Sequence, residues 1–326
     1  MAHRYYSPLR YPGGKGKLVP FVQHLMERNG LVESEYVEPY AGGSGVALAL
    51  LFEGFASRIH INDFNRSIHA FWHSVLREPE ALMRLIRDTP VSMRVRKKQQ
   101  SVQVDADASM LELGYSTFFL NRVNRSGIIG AGVIGGKHQS GTWKMDARFN
   151  KVDLVQRIAK IARFAPKISL YDLDAEALIT DVLPTIKRPA LVYLDPPYYV
   201  KGHELYTNFY DHTNHVRVAK LVAQMEHPWI ISYDNVPEIE DMYSQYRSIK
   251  YLLSYTAGPI PAVLQALDHS TRPTGVELMF FSPVLDLPDF HGRLMPARRP
   301  SGIGLGGSIG RRNVRGLVRS NQASNL

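Results

Sequence analysis

A strand, a glycine turn, an apolar helix and a second strand follow one another early in the chain, and this order constrains the fold most. The first strand is predicted at residues 36–40 and runs into the glycine turn 41–45. The apolar segment 46–52 predicts a buried helix, and the second strand, 58–62, ends at Asp63. Such a unit is typical of nucleoside-cofactor sites in α/β sheets, although a glycine turn by itself is often only a tight turn.

Strand and helix patterns alternate through most of the remaining chain. Helical periodicity is found at residues 65–88, with a second helix starting at Pro79, and again at 151–164 and 205–225. Five further strands are predicted, the last two as an antiparallel pair, at residues 167–171, 190–194, 229–233, 251–256 and 276–281. About seven strands separated by helices predict an α/β fold with a doubly wound, mostly parallel sheet.

The tetrapeptide Asp195, Pro196, Pro197, Tyr198 follows the apolar strand 190–194 directly. Two prolines stop the strand and fix φ, so that the backbone carbonyls point in a defined direction. A carboxylate, a carbonyl and an aromatic face in one rigid turn suit a planar group with an exocyclic amine, such as adenine. The alternative is a strand-ending turn in which the acid only caps the chain.

The predicted strand ends bring these features together. Ligands of an open parallel sheet gather at the carboxyl ends of its strands. The glycine turn, Asp63 and the tetrapeptide all follow predicted strands, so we expect them to share one crevice. A nucleoside cofactor beside an adenine receptor indicates group transfer to the exocyclic amine.

Positive charge is concentrated in two parts of the chain, whose net charge is +9. Residues 291–326 hold seven arginines and no acid, and residues 91–163 hold 13 lysines and arginines against five acids. This distribution suits a polyanion such as DNA or RNA, or it is a solvated basic face. We expect residues 91–150 to form a loop-rich basic insert that recognises the substrate, and the tail from residue 288 to be mobile.

Several classes of site and location are excluded or unsupported. The chain has no cysteine, which excludes disulfides, thiolate metal sites and cysteine nucleophiles, and a cytoplasmic location is expected. No metal site is predicted, because His212 and His215 have no third partner at ligand spacing. No apolar run reaches 18 residues, so no membrane span is expected. The run from Gly13 to Lys17 lacks the spacing of a phosphate-binding loop.

Taken in order, the motifs resemble the D12-class, Dam-like family of DNA adenine N6-methyltransferases. The resemblance covers roughly residues 7–283. It is carried by Tyr11-Pro12-Gly13-Gly14-Lys15, the turn from Tyr36 to Gly45, Ile61-Asn62-Asp63, Phe118 to Arg122, Met145 to Asn150, Tyr171 to Ala175, and Asp195 to Tyr198. Ala175 departs from the pattern, since the family has an aromatic residue after this acid, and Tyr11 stands where relatives often have tryptophan.

The resemblance implies a site-specific DNA methyltransferase (adenine-specific) that uses S-adenosylmethionine and acts on double-stranded DNA by flipping out the base. It implies a class I S-adenosylmethionine-dependent methyltransferase fold with a helical or loop-rich target-recognition insert. The implied domains are a catalytic domain at 1–64 and 165–287, an insert at 65–164 and a basic Gly/Arg-rich tail at 288–326. A cognate restriction endonuclease is a possible partner.

The same resemblance assigns roles to individual residues. The catalytic residues are Asp195, Pro196 and Tyr198. The cofactor-binding residues are Tyr11, Lys15, Glu38, Gly42, Gly43, Gly45, Asp63, Asp174 and Asp195. Charge alone nominates the DNA contacts, which are Arg122, Asn124, Arg125, Lys137 and Lys144; an exposed lysine is often only solvated.

Two other functions remain open at this point. The first is a methyltransferase of the same fold that acts on cytosine N4 or on RNA; cytosine N4 enzymes tend to have serine where this chain has Asp195. The second is a catalytically inactive DNA-binding relative, against which the intact Asp195, Asp63 and Lys15 argue.

We predict that removing residues 291–326 lowers non-specific DNA affinity and leaves methyl transfer chemistry in place. Each arginine on a phosphate releases counterions, so the loss of seven arginines should make the dependence of log K on log salt less steep. The measurement is a salt series of DNA-binding titrations for the full chain and the truncation. A truncation that keeps the full salt slope would contradict this prediction.

Overall fold

The computed structural model describes residues 6–10, 14–200, 210–254, 274–288 and 294–296. Its centre is one mixed sheet in the order β3-β2-β1-β4-β5-β7-β6-β8. The strands are β1 (Ser34–Glu38), β2 (Ala56–Asn62), β3 (Ile168–Tyr171), β4 (Ala190–Leu194), β5 (Trp229–Asp234), β6 (Arg247–Ser254), β7 (Thr274–Phe281) and β8 (Leu294–Pro296). The predicted α/β sheet is confirmed, with strand ends displaced by a few residues.

The described sheet has eight strands where the sequence predicts seven. The additional strand, β8, pairs antiparallel with β6 and falls inside the predicted tail. Three residues that end in proline are too short for a period-2 pattern, which explains why the sequence did not indicate it. A truncation that removes residues 297–326 keeps β8 and still deletes six of the seven arginines.

Strands β1 to β5 run parallel, and β7 inserts antiparallel between β5 and β6. Side chains alternate between the two faces of the central strands, as the strand period requires. Tyr36 packs into one apolar cluster and Val37 into the other. Both faces are covered by helices, so the central strands are buried almost completely, and β4 has no exposed residue.

Seven helices of the described chain lie towards the larger cluster or pack on helices that do. They are α1 (Val19–Arg28), α2 (Gly45–Phe52), α3 (Arg66–Arg77), α4 (Pro79–Asp88), α5 (Met93–Val104), α6 (Met110–Val123) and α7 (Lys151–Arg163). The second face carries α8 (Ala175–Ala177), which continues as helical turn to Val182, α9 (His212–Ala223) and α10 (Pro237–Met242). The predicted helix at 205–225 overlaps α9, and its first part lies outside the described residues.

The predicted insert is more helical than the expected loop-rich segment. Ser92 caps α5 by accepting the Val95 N–H, and Ser109 and Glu112 form a capping box at α6. Helix α6 is buried on nearly every side, and α5 is mostly polar with a single buried residue, Gln99. Neither pattern gives the one-sided period by which a surface helix is recognised. The expected irregular structure is limited to residues 124–149 and the short connections at 91–92 and 105–109.

The insert shares its core with the sheet. Phe71 of α3 stacks on Phe118 of α6, and both belong to the cluster that contains Tyr36 and Ile61 of the sheet. The division into a catalytic domain and an insert stays a prediction. No helix of the described chain is long and apolar enough to cross a membrane.

Gly114 lets α3 and α6 approach closely. A Cβ on Gly114 would lie 2.2 Å from Ser74 Oγ and 2.4 Å from the Ala70 carbonyl oxygen. Ser74 Oγ itself donates to the Ala70 carbonyl at 2.8 Å, so neither atom can move away freely.

We predict that Gly114→Ala lowers the free energy of unfolding by about 1–3 kcal/mol, because overpacking outweighs alanine's better helix propensity. The measurement is denaturant unfolding. Gly130→Ala is the matched control, since a Cβ there meets no atom within 4 Å. Equal stability of the two variants would contradict the close packing of α3 on α6.

Candidate active site

Four acids predicted from the sequence lie at the carboxyl edge of the parallel strands. Glu38 ends β1, Asp63 follows β2, Asp174 lies beyond β3, and Asp195 follows β4. Strand β1 pairs with both β2 and β4, so the predicted cofactor loop lies between Asp63 and the tetrapeptide. The structure therefore brings the predicted cofactor and catalytic segments to one edge of the sheet.

The glycine loop is held in place by hydrogen bonds to its backbone. Gly42 has φ +45° and Ser44 has φ +46°, both in the left-handed region that favours glycine. The Gly42 N–H donates to Asp63 Oδ2 at 2.9 Å, and the Gly42 carbonyl accepts the Trp72 indole N–H at 2.9 Å. Ser44 accepts this conformation at an energetic cost, so the loop is fixed by its surroundings.

Asp63 joins β2 to the glycine loop. Its Oδ1 accepts the Asn65 N–H at 3.0 Å, in addition to the bond from Gly42 to Oδ2. Burial raises the pKa of Asp63 to about 6, and the two N–H donors oppose this rise. Each carboxylate oxygen keeps a further lone pair, so the group can still accept hydroxyl groups.

Glu38 is buried beneath the first turn of α2. Its Oε1 accepts the Ala47 N–H at 3.0 Å, and its side chain is 5% exposed. Burial raises the pKa of Glu38 to about 8, although the Ala47 N–H opposes the rise. Gly43 and Gly45 are half-buried on the same loop. A Cβ on Gly45 would lie 3.9 Å from the Cα of Gly16, so the turn Lys15–Leu18 lies against this loop.

Asn62 positions Asp174. The Asn62 amide donates to the carbonyls of Pro39 and Leu173 and accepts the Leu173 N–H. This contact ties the segment after β3 to the end of β1. Asp174 caps α8 by accepting the Glu176 N–H at 2.8 Å.

In the described chain, only one of the two carboxylate oxygens of Asp195 has a hydrogen-bond or ion-pair partner. Its Oδ1 lies 2.8 Å from Lys15 Nζ and accepts the Ser232 hydroxyl at 2.9 Å. Within the described residues, Oδ2 accepts no hydrogen bond, and neither does the Pro196 carbonyl oxygen. The Asp195 side chain is 27% exposed. Burial raises the pKa of Asp195, and the Lys15 ammonium opposes the rise.

Glu277 of β7 is a site residue that the sequence analysis missed. It is fully buried, accepts the Tyr198 hydroxyl at 2.8 Å, and also accepts the Tyr251 hydroxyl. Lys15 Nζ lies 3.3 Å from Glu277 Oε2. One signal was available, because Glu277 is the only charged residue in the apolar strand predicted at 276–281, and buried carboxylates are rarely found without a partner.

Lys15 therefore contacts two carboxylates at once. Burial lowers its pKa, but Asp195 and Glu277 more than offset this and raise the pKa well above the ordinary value. Lys15 Nζ also lies 5.6 Å from the Tyr198 ring centroid, and Tyr198 is 4% exposed. Tyr11, the other predicted cofactor contact of this segment, lies outside the described residues.

Two of the predicted DNA contacts hold the insert together. Arg122 Nε donates to the Arg148 carbonyl at 2.7 Å, and Arg122 Nη1 donates to the Pro8 carbonyl at 3.3 Å. Burial, and then the nearby Arg10, lower the pKa of Arg122 to about 9. Asn124 is buried, donates to the Ile129 carbonyl at 2.7 Å and accepts from Arg96 Nε.

The other three predicted DNA contacts are exposed on residues 124–149. Arg125 and Lys137 point to the surface of this segment, and Lys144 is exposed while its Nζ donates to the Gln139 carbonyl. A role in DNA binding stays a prediction for all five residues.

The model of the D12 class N6 adenine-specific DNA methyltransferase family matches residues 11–254 of the chain. A curated relative is the type II methyltransferase M1.LlaDCHI of Lactococcus lactis subsp. cremoris. It is 22% identical over 267 residues, which cover 76% of this chain and 88% of that protein.

Two solved methyltransferase structures are similar to this chain, with low sequence identity and low TM-scores. One is an rRNA methylase from Streptococcus thermophilus, with 10% identity, TM-score 0.30 and coverage of 80% of this chain and 93% of that one. The other is SMU.1697c, a putative methyltransferase from Streptococcus mutans in complex with SAH, with 7% identity, TM-score 0.28 and coverage of 81% and 97%. Family membership rests on the family model and the motifs, not on these two structures.

We predict that Glu38→Gln stabilises the protein relative to wild type as pH rises. The pKa of Glu38 is about 8 in the folded chain against 4.5 in the unfolded chain. Below pH 4.5 the carboxyl is protonated in both states and does not lower the free energy of unfolding. Between pH 4.5 and about pH 8 it is ionised in the unfolded chain and protonated in the folded chain, so the free energy of unfolding falls as the pH rises. The variant keeps an acceptor for the Ala47 N–H and carries no charge.

The stability difference between E38Q and wild type should rise by on the order of 3 kcal/mol between pH 5 and pH 9. Denaturant unfolding at both pH values measures it. Glu80→Gln, at an exposed acid of α4, is the control and should show a constant difference. If the stability difference between E38Q and wild type is also the same at both pH values, burial does not raise the pKa of Glu38.

Proposed function

Because the chain belongs to the D12 class of N6 adenine-specific DNA methyltransferases, we propose that Asp195 and the Pro196 carbonyl form its catalytic centre. The activity is transfer of a methyl group from S-adenosylmethionine to N6 of adenine in DNA. We propose the finer class of site-specific DNA methyltransferase (adenine-specific). One observation supports the assignment of the centre most. Asp195 Oδ1 is engaged by Lys15 and Ser232, while Oδ2 and the Pro196 carbonyl accept no hydrogen bond within the described chain.

These two free acceptors match the two N–H groups of an adenine N6. The N6 lone pair is delocalised into the ring and is a poor nucleophile. When Asp195 Oδ2 and the Pro196 oxygen each accept one N6–H, the amine is held nearer to tetrahedral and its lone pair is aimed outward. S-adenosylmethionine would supply an electrophilic methyl group, and in an in-line displacement the N6–C bond would form as the S–CH3 bond breaks and S-adenosylhomocysteine leaves. Positioning of this kind contributes much of the rate.

The same oxygens stabilise the charge that develops. As the N6–C bond forms, N6 becomes positive, and preorganised acceptors are worth most where new charge appears. N6 must then lose one proton. We propose that Asp195 Oδ2 takes it, because this oxygen would already accept an N6–H and burial raises the pKa of the carboxyl.

The residues along the edge fit a nucleoside methyl donor. Asp63, with a spare lone pair on each oxygen, would accept the ribose hydroxyls, and the backbone of Gly42, Gly43 and Gly45 would allow close approach. Asp174, placed by the Asn62 contacts, would face the adenine of the cofactor. Glu38 supports the loop from below through Ala47. Lys15 and Tyr11 remain proposed contacts of the methionine end.

Tyr198 is proposed to stack on the extruded base. The Lys15 ammonium lies close to the Tyr198 ring, so a base that stacks on this ring has to occupy the place of the ammonium. A target adenine inside a duplex is out of reach of the site, and base flipping is therefore part of the proposal.

The exposed residues of 124–149 are the proposed DNA surface. Arg125, Lys137 and Lys144 would contact phosphates, which position the enzyme and carry no sequence information themselves. Trp143, 73% exposed beside Lys144, suits stacking on an unpaired base. Arg122 and Asn124 would act by holding this segment in shape.

The wider role of the enzyme is also a proposal. The type II name of the Lactococcus lactis relative supports action beside a cognate restriction endonuclease. A cytoplasmic location stays a prediction.

We predict that Asp195→Ala lowers the turnover number by 10³-fold or more, because it removes one of the two acceptors for the developing charge. The assay follows tritiated methyl transfer to DNA and separates the modified nucleosides, which identifies the base. N6-methyladenine is the expected product of the wild-type chain.

DNA affinity of D195A should stay within about threefold of wild type, since the acceptor acts at the reacting amine. Asp286→Ala removes an acid that pairs with Arg28 at the surface and is the matched control. Turnover by D195A near that of wild type would remove Asp195 from the mechanism. N4-methylcytosine as the product would overturn the proposed substrate.

A further inference from the structure

The ion pair at Asp195 raises a problem for the proposed chemistry. Lys15 Nζ lies 2.8 Å from Oδ1 of the carboxylate that would stabilise positive charge on N6. A buried ammonium so close repels a second positive charge, since the interaction is weakly screened at a buried site. An unopposed Lys15 would therefore weaken the group on which catalysis depends.

Glu277 supplies the opposing charge. Its Oε2 lies 3.3 Å from the same ammonium, and its side chain is fully buried. Among the described residues, the two carboxylates and the one ammonium sum to one negative charge. Asp195 is the more exposed of the two carboxylates, so it is the one that a substrate can reach from solvent.

The sheet fixes where Glu277 lies. In the antiparallel pairs of β7, Glu277 is opposite Asp234 of β5 on one side and Tyr251 of β6 on the other. The hydroxyls of Tyr198 and Tyr251 both donate to its carboxylate. Buried charges persist when they are paired and hydrogen-bonded in this way. Glu277 thus connects the rigid sheet to Lys15 and to the last residue of the tetrapeptide.

We infer that Glu277 is a positioning residue for methyl transfer, which offsets the charge of Lys15 and anchors Tyr198 so that the Lys15 ammonium does not repel the positive charge that develops on the target amine. The inference rests on the proposed role of Asp195. Glu277 lies beyond residues 11–254, so the family match does not include it.

The test is Glu277→Gln in the full chain. The variant is nearly isosteric and removes only the charge. The turnover number should fall at least tenfold, while KM for DNA and for S-adenosylmethionine stays within about threefold, because the lost term acts in the transition state.

The pH profile separates this role from a merely structural one. Glu277 raises the pKa of Asp195, so its removal should let Asp195 stay ionised to lower pH. The acidic limb of turnover against pH should therefore shift to lower pH in E277Q. Among the described residues, the other charged and titratable groups that interact electrostatically with Asp195 are the same in both proteins; they are Lys15, Tyr36, Glu38, Tyr193 and Tyr251.

Two further variants complete the experiment. Glu240→Gln removes an acid that pairs with Lys250 at the surface, and it should change neither turnover nor profile. If E277Q does not fold, Glu277→Asp keeps the charge but draws it away from Lys15, and a smaller shift in the same direction is expected. If a Glu277 variant folds and its acidic limb of turnover against pH lies at the same pH as in wild type, the inference is overturned. Failure of the wild-type chain to methylate adenine would instead overturn the proposed function.

Discussion

One buried ammonium held between two carboxylates is the interaction on which the rest of this site depends. Lys15 contacts Asp195 and Glu277, and these three residues come from the first turn, the end of β4 and the antiparallel strand β7. Each charge would be costly to bury alone, so the three segments have to assemble together. The arrangement engages one oxygen of Asp195 and leaves the other without a hydrogen bond in the described chain, which is the asymmetry that the proposed amine receptor needs.

The sheet order explains why the proposed cofactor and base sites are neighbours. Strand β1 lies between β2 and β4, so the glycine loop after β1 has Asp63 on one side and the tetrapeptide on the other. The hydrogen bond from Gly42 to Asp63 fixes the first of these relations. Insertion of β7 beside β5 then brings an acid from late in the chain to within reach of Lys15.

Local patterns predicted most of the fold and several of the residues that the structure brings to the candidate site. Buried strands such as β4 carry their signal within five residues, and the glycine loop and tetrapeptide lie directly after strands. Glu277 and Ser232 were missed because they reach the site only through pairing with distant segments. Helix α6 was missed because burial on all sides removes its period. Charge counted along the chain also cannot separate Arg122, whose guanidinium binds backbone carbonyls, from the exposed Lys137.

The most direct measurement is a crystal structure of the chain with a non-reactive S-adenosylmethionine analogue and duplex DNA that contains the target. We expect an extruded adenine whose N6 lies about 3 Å from both Asp195 Oδ2 and the Pro196 carbonyl oxygen. Lys15 should still contact Glu277 in that complex. An adenine amine held by other groups, with Asp195 Oδ2 turned away from it, would contradict the account.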